Sequence, residues 1–184
     1  MATQPVYPLL TAKEFLEIEF GDRKAELDNG VIRMMAGGTA RHAEVGGNVF
    51  AWLRQHLRGS GCRPYGSVMA TRTHDRSIRY PDVSVFCDPW RDNGQAKSFD
   101  NPKILIEILS AGTARTDLRV KYDEYKAIDT VDTIVFVDIA VERLRIVQRT
   151  GIHGWSDVSY DDAIDLPLPA LDLVIPHAEI FARD

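Results

Sequence analysis

The sequence predicts an α/β or α+β domain built on a mixed central sheet flanked by helices, with a β-hairpin near the N-terminus. Three observations carry that reading. Strand-like segments outnumber helical ones, several neighbouring strands are joined by hairpin turns, and amphipathic helices are set between them. The 184 residues suit one domain spanning 1–184. With 45% hydrophobic and 27% charged residues, the chain has a globular balance and folds without a metal or disulfide staple.

The elements follow in order. Residues 11–20 read as a short helix, because Thr11 can cap it and Glu14 stands three residues on, the spacing of a reciprocal capping box. In 25–34, Asn29-Gly30 lies between alternating apolar residues and marks a tight hairpin. From 42 to 57, Val45, Val49, Trp52, Leu53 and Leu57 recur at helical spacing, and Gly59-Ser60-Gly61 ends the helix. Strands are expected over 63–73, 82–87 and 103–109, with a polar surface loop at 88–102. A second helix runs over 110–127, with Leu118, Tyr122 and Tyr125 on its apolar face. Residues 133–139 form a buried type of strand. A strand pair follows over 144–149 and 155–160, and the Leu-Pro tail packs as an edge or loop.

Several classes are excluded. No apolar run approaches the ~20 residues of a membrane span, and residues 1–10 lack the pattern of a secretory signal. Cys62 and Cys87 lack zinc-site spacing, so two reduced thiols in a cytoplasmic protein are expected. The chain has no P-loop, no GxSxG elbow and no HExxH, and Gly37-Gly38 and Gly46-Gly47 lack a dinucleotide-binding context. The net charge of -5 gives no global nucleic-acid footprint, so such binding must use a local patch.

Two segments carry chemistry. Ile104-Leu105-Ile106-Glu107-Ile108-Leu109 is an apolar strand broken by one carboxylate, which is costly to bury without a cation or donors. Tyr80-Pro81-Asp82 sets a second carboxylate at the start of another apolar strand. If the two strands pair antiparallel with Asp88 facing Lys103, Glu107 lies opposite Ser84 and Asp82 opposite Leu109. The two acids are then diagonal neighbours on one face, with Cβ atoms ~7 Å apart. Such a pair can share a hard divalent ion, Mg²⁺ or Mn²⁺. A one-residue slip would put the acids on opposite faces. The plainer alternatives are an arginine-paired strand acid for Glu107 and an exposed post-turn residue for Asp82. Lys121 is the basic candidate for orienting a nucleophile or phosphate, unless it only pairs with Asp117 four residues earlier.

In order along the chain, Tyr80-Pro81-Asp82-Val83-Ser84-Val85, Ile106-Glu107-Ile108-Leu109-Ser110 and Thr113-Ala114-Arg115-Thr116-Asp117 with Lys121 and Tyr125 resemble the Uma-two family of restriction endonuclease-like proteins. Glu26-Leu27-Asp28-Asn29-Gly30, the helix from His42, Val135-Phe136-Val137-Asp138 and Gly154-Trp155 are also similar, so the likeness spans 10–181. The resemblance implies a PD-(D/E)XK nuclease fold with an acidic Mg²⁺ site. It also implies DNA as partner and a homodimer that cuts both strands. Asp82 then takes the motif Asp and Glu107 the motif Glu. The position two after Glu107, where that pattern has lysine, is Leu109, and the resemblance implies that Lys121 takes the role. The alternative function is a silent nuclease-fold module that binds nucleic acid or a protein.

The resemblance also raises His42 and Glu44 as site-flanking residues, against simple capping and dipole compensation at a helix start. Arg72, Arg76 and Arg79 either contact phosphates or decorate a solvated hairpin tip. Glu26 lies near the site or faces solvent. Trp52 and Trp155 read as core.

Overall fold

The computed structural model describes residues 8–87, 94–109 and 116–183. The predicted helix opening at 110–113, most of the Thr113–Asp117 motif and part of the 88–102 loop lie outside them, as does the Asp117 side chain.

Helix α1 (Ala12–Leu16) starts on the predicted cap. Thr11 accepts from the Glu14 amide, and the Glu14 carboxylate accepts from the Thr11 amide at 2.8 Å. It is shorter than predicted, closing at Glu17. Strands β1 (Ala25–Asp28) and β2 (Val31–Met34) form the hairpin, with Asn29 and Gly30 both at positive φ. Helix α2 (Ala40–His56) is capped by Thr39.

The strand expected over 63–73 is two strands. A turn closed by the Met69 amide on the Gly66 carbonyl separates β3 (Cys62–Gly66) from β4 (Ala70–His74), and the two enter different sheets. The basic stretch after β4 folds back as β5 (Ser77–Arg79). Next come β6 (Val83–Cys87), β7 (Ser98–Phe99), β8 (Pro102–Leu109), α3 (Thr116–Lys126), β9 (Thr133–Asp138), β10 (Arg143–Arg149) and β11 (Trp155–Ser159). The tail is neither edge nor loop. It forms a separate hairpin, β12 (Leu166–Leu168) with β13 (Leu173–Ile175), followed by α4 (His177–Ile180).

The central sheet has six strands in the order β11-β10-β9-β8-β6-β3 and is mixed, because β8 pairs antiparallel with β6 and parallel with β9. Alternation along β8 decides what each face buries. Ile104, Ile106 and Ile108 join Val45, Val49 and Leu53 of α2, while Leu105 joins Tyr125 of α3 and Phe136. Glu107 shares the Leu105 face. A second sheet, β2-β1-β5-β4-β7, packs Leu27, Ala70 and Ile78 against Phe15 of α1.

Cys62 and Cys87 form a disulfide, not two free thiols. They are far apart in sequence, yet the β3–β6 register sets them directly opposite each other.

Candidate active site

Glu107, on the α3 face of β8, is 7% exposed. The Tyr125 hydroxyl donates to its Oε1 at 2.6 Å, and Lys121 Nζ lies 3.3 Å from the same oxygen. Lys121 and Tyr125 are four residues apart on α3, so one helix face delivers both. The second sheet supplies Glu26 from β1. Its Oε1 lies 3.1 Å from Lys121 Nζ and accepts from the Tyr80 amide at 3.1 Å. Lys121 therefore bridges two buried carboxylates contributed by two different sheets.

Asp82 sits beside this group, just ahead of β6. Its Oδ1 lies 2.8 Å from His42 Nε2, and its Oδ2 accepts from the Ile108 amide at 2.7 Å. The register differs from the expectation by two residues: Val83 pairs with Ile106 and Ser84 with Leu105, not with Glu107. A shift of two keeps every side chain on its face. Continued by one residue, this register sets Asp82 level with Glu107.

The electrostatics follow the burial. Burial raises the Glu107 carboxyl to about 7; Lys121 opposes that rise and Asp82 adds to it. Burial alone would lower the Lys121 ammonium, but Glu107 and Glu26 outweigh it and hold the pKa up. Burial and Glu107 push the Tyr125 hydroxyl well above its ordinary value. The hydrogen bond to Asp82 raises His42 against its own burial, with Glu107 contributing. His42 Nδ1 is buried without a partner among the described residues.

The remaining candidates scatter. Glu44 binds Arg41 at 2.6 Å and does not meet Asp82. Arg72 is exposed and pairs with Asp100, and Arg76 is exposed. Arg79 is not on the surface. It is 4% exposed and grips Glu124 at 2.7 and 2.8 Å, Asp28 at 2.9 Å and Glu26 at 3.4 Å, so its guanidinium has no face left for a phosphate. The sequence reading missed Glu124, which also accepts from Thr73 at 2.9 Å. Its signal was present, because Glu124 follows Lys121 by three on the same helix face. Trp155 is half-buried and packs against the cluster of Leu105, Tyr125 and Phe136, with the Arg149 guanidinium 4.4 Å from its ring.

Among the described residues, no group of three or more His, Cys, Asp or Glu side chains is arranged to hold a metal ion. Mg²⁺ asks for less, since it keeps several waters and takes one or two carboxylates plus substrate phosphate. Asp82 and Glu107 provide that donor chemistry, and the oxygen-rich set suits Mg²⁺ or Mn²⁺ over softer ions. The residues present fit such an ion.

A mixed sheet with helices on both faces, carrying a buried Glu–Lys–Glu cluster beside an aspartate, places the chain in the α+β class. A crystal structure of "a putative nuclease belonging to DUF820" from Anabaena variabilis shares this fold, with a TM-score of 0.75 and 18% identity over 94% of this chain and 98% of that one. The chain belongs to the Uma2 (Uma-two) family, described as "putative restriction endonuclease", whose model matches residues 12–176. Two uncharacterized proteins of Synechocystis sp. are similar. One is 25% identical over 91% of this chain and 88% of its own length, the other 28% identical over 80% and 85%. No helix among the described residues is long and apolar enough to cross a membrane.

Proposed function

We propose that this chain is a Mg²⁺-dependent endonuclease (Mn²⁺ serving as well) that hydrolyses phosphodiester bonds in DNA. The observation that carries the reading is the Glu26–Lys121–Glu107 cluster set beside the His42–Asp82 pair. Asp82 and Glu107 would hold the ion, which stabilises charge developing on a phosphoryl oxygen. Tyr125 and Lys121 fix the Glu107 carboxylate, and the Ile108 amide with His42 fixes Asp82. Lys121 carries the one ammonium in this group and would draw the scissile phosphate or the attacking water toward the carboxylates. Cutting both strands of a duplex takes two such sites, which a twofold homodimer supplies.

The alternative is a nuclease-fold module that binds without cutting. Leu109 stands where a catalytic lysine is expected, and Lys121 is engaged by two carboxylates. Plasmid cleavage with Mg²⁺ or Mn²⁺ separates the two readings. The parent is expected to cut, while Asp82→Ala and Glu107→Ala lose activity by at least about two orders of magnitude, the scale of losing charge stabilisation at a reacting phosphate. Equal activity in all three would reject the assignment. Absence of Mn²⁺ binding by calorimetry would favour the silent module.

A further inference from the structure

The cluster around Glu107 leaves unexplained a cavity of about 490 Å³ at the far end of α2. Arg54, Leu57 and Arg58 line it from the helix end, and Cys62, Arg63 and Pro64 line it from β3, an edge strand of the central sheet. Three arginines thus share one opening in a chain of net charge -5. Arg54 and Arg58 are exposed and make no ion pair among the described residues. Compensation of the helix dipole accounts for an arginine in the last turn, such as Arg54. It does not account for Arg58, which lies beyond the Leu57 cap.

We propose that this cavity takes a backbone phosphate of nucleic acid, as a second anchor remote from Glu107. The proposal rests on the nuclease reading above and adds a place where the substrate is gripped but not cut. Guanidinium forks match phosphate oxygens bidentately. The stretch of α2 between His42 and Arg54 sets the two ends about 18 Å apart at 1.5 Å per residue. That equals about five base-pair steps at 3.4 Å each. A phosphate held there lies several nucleotides from the scissile one, so it fixes the register of the duplex and carries no base information.

The test is duplex binding by fluorescence anisotropy across a salt series, in metal-free buffer. Each phosphate-neutralising charge contributes about 0.9 to the slope of log K against log salt. Arg54→Ala/Arg58→Ala is expected to lower that slope by nearly 2 and to weaken binding by roughly one to two orders of magnitude near 0.1 M salt. Arg54→Lys/Arg58→Lys, which keeps the charges, is expected to retain the slope, separating lost charge from damaged fold. An unchanged slope in the alanine variant overturns the proposal while leaving the nuclease reading intact. A parent chain that binds no duplex at any salt overturns both. Titration with pyrophosphate distinguishes the other source of the same chemistry: binding that the alanine variant loses, with the duplex slope unchanged, assigns the cavity to a free anion and overturns the nucleic-acid anchor.

Discussion

Replacing Lys121 by Met keeps the length of the side chain and removes its charge. The ammonium lies 3.1 Å from Glu26 and 3.3 Å from Glu107, and the side chain is 13% exposed. At an effective dielectric of about 20, each contact is worth about 5 kcal/mol before desolvation. Desolvation of the three ions offsets several kcal/mol apiece, so the intact cluster contributes little net stability. Removing only the lysine is different, because Glu26 and Glu107 are then left facing each other without a cation. The expected loss is about 3–5 kcal/mol, or roughly 2–4 °C of melting temperature per kcal/mol for a chain of this size. Glu107→Gln keeps an acceptor for Tyr125 and drops a charge that burial already opposes, so it should cost only about 1–2 kcal/mol. In the double variant the penalty from an unpaired Glu107 disappears. The loss in the double variant should then fall short of the sum of the two single losses by about 1–3 kcal/mol. Urea unfolding in metal-free buffer at neutral pH reads all four proteins. Additivity within about 0.5 kcal/mol, or a Lys121→Met loss below about 1 kcal/mol, would refute the bridging role of the lysine.

Arg79→Met removes the guanidinium from Glu26, Asp28 and Glu124 and is expected to cost about 3–5 kcal/mol. Arg72→Met, at an exposed pair, should cost no more than about 0.5 kcal/mol. Similar melts for the two would remove the case for a buried ion network. Gly30→Ala meets both a φ of +86° and a Cβ placed 2.6 Å from Leu9 Cβ, and should cost about 1–3 kcal/mol by thermal melt, whereas a neutral result would show the hairpin turn relaxing freely. In metal-free buffer, stability should fall as pH rises from about 4.5 to about 7, because folded Glu107 keeps a proton that the unfolded chain has released. The window corresponds to at most about 3 kcal/mol. Glu107→Gln should flatten it, leaving the smaller fall that His42 adds above 6.5, where its raised pKa has the same sign. An unchanged slope in that variant would place the titration elsewhere.

How much of this was legible in the sequence can be traced residue by residue. Thr11 and Glu14, Asn29-Gly30 and the spacing from Val45 to Leu57 announced their elements because capping, turn and packing signals are local. The antiparallel pairing of β6 with β8 was legible too, although its register was not. Register depends on how the 88–102 loop closes, which no residue in it dictates. Arg79 failed for a different reason. As text it belongs to a basic run with Arg72 and Arg76, but β5 lies between β1 and β4, and that neighbour relation turns Arg79 inward onto Glu26, Asp28 and Glu124. Glu26 stayed ambiguous until the same sheet placed it against α3. The Cys62–Cys87 disulfide was hidden likewise, since pairing across strands has no signature in spacing along the chain.

The cluster's charge connects the pH behaviour to the proposed chemistry. Around Glu107, the carboxylates of Asp82 and Glu26 add to its own negative charge, and the ammonium of Lys121 is the permanent cation that opposes them. His42, raised by its bond to Asp82, adds at most one more. The group therefore carries surplus negative charge inside the fold, and that surplus can be relieved in two ways. A proton on Glu107 relieves it, which is the physical content of a carboxyl raised to about 7. A divalent cation shared with Asp82, as proposed, would relieve it as well, and the two would compete for the same oxygens. Metal affinity should then climb with pH up to about 7 and level off above, because binding must first displace that proton. Mn²⁺ calorimetry at several pH values reads this directly, with proton release visible as a dependence of the heat on buffer ionisation enthalpy. Affinity that stays flat between about pH 5.5 and 7.5 would mean that the ion, if bound, does not use Glu107.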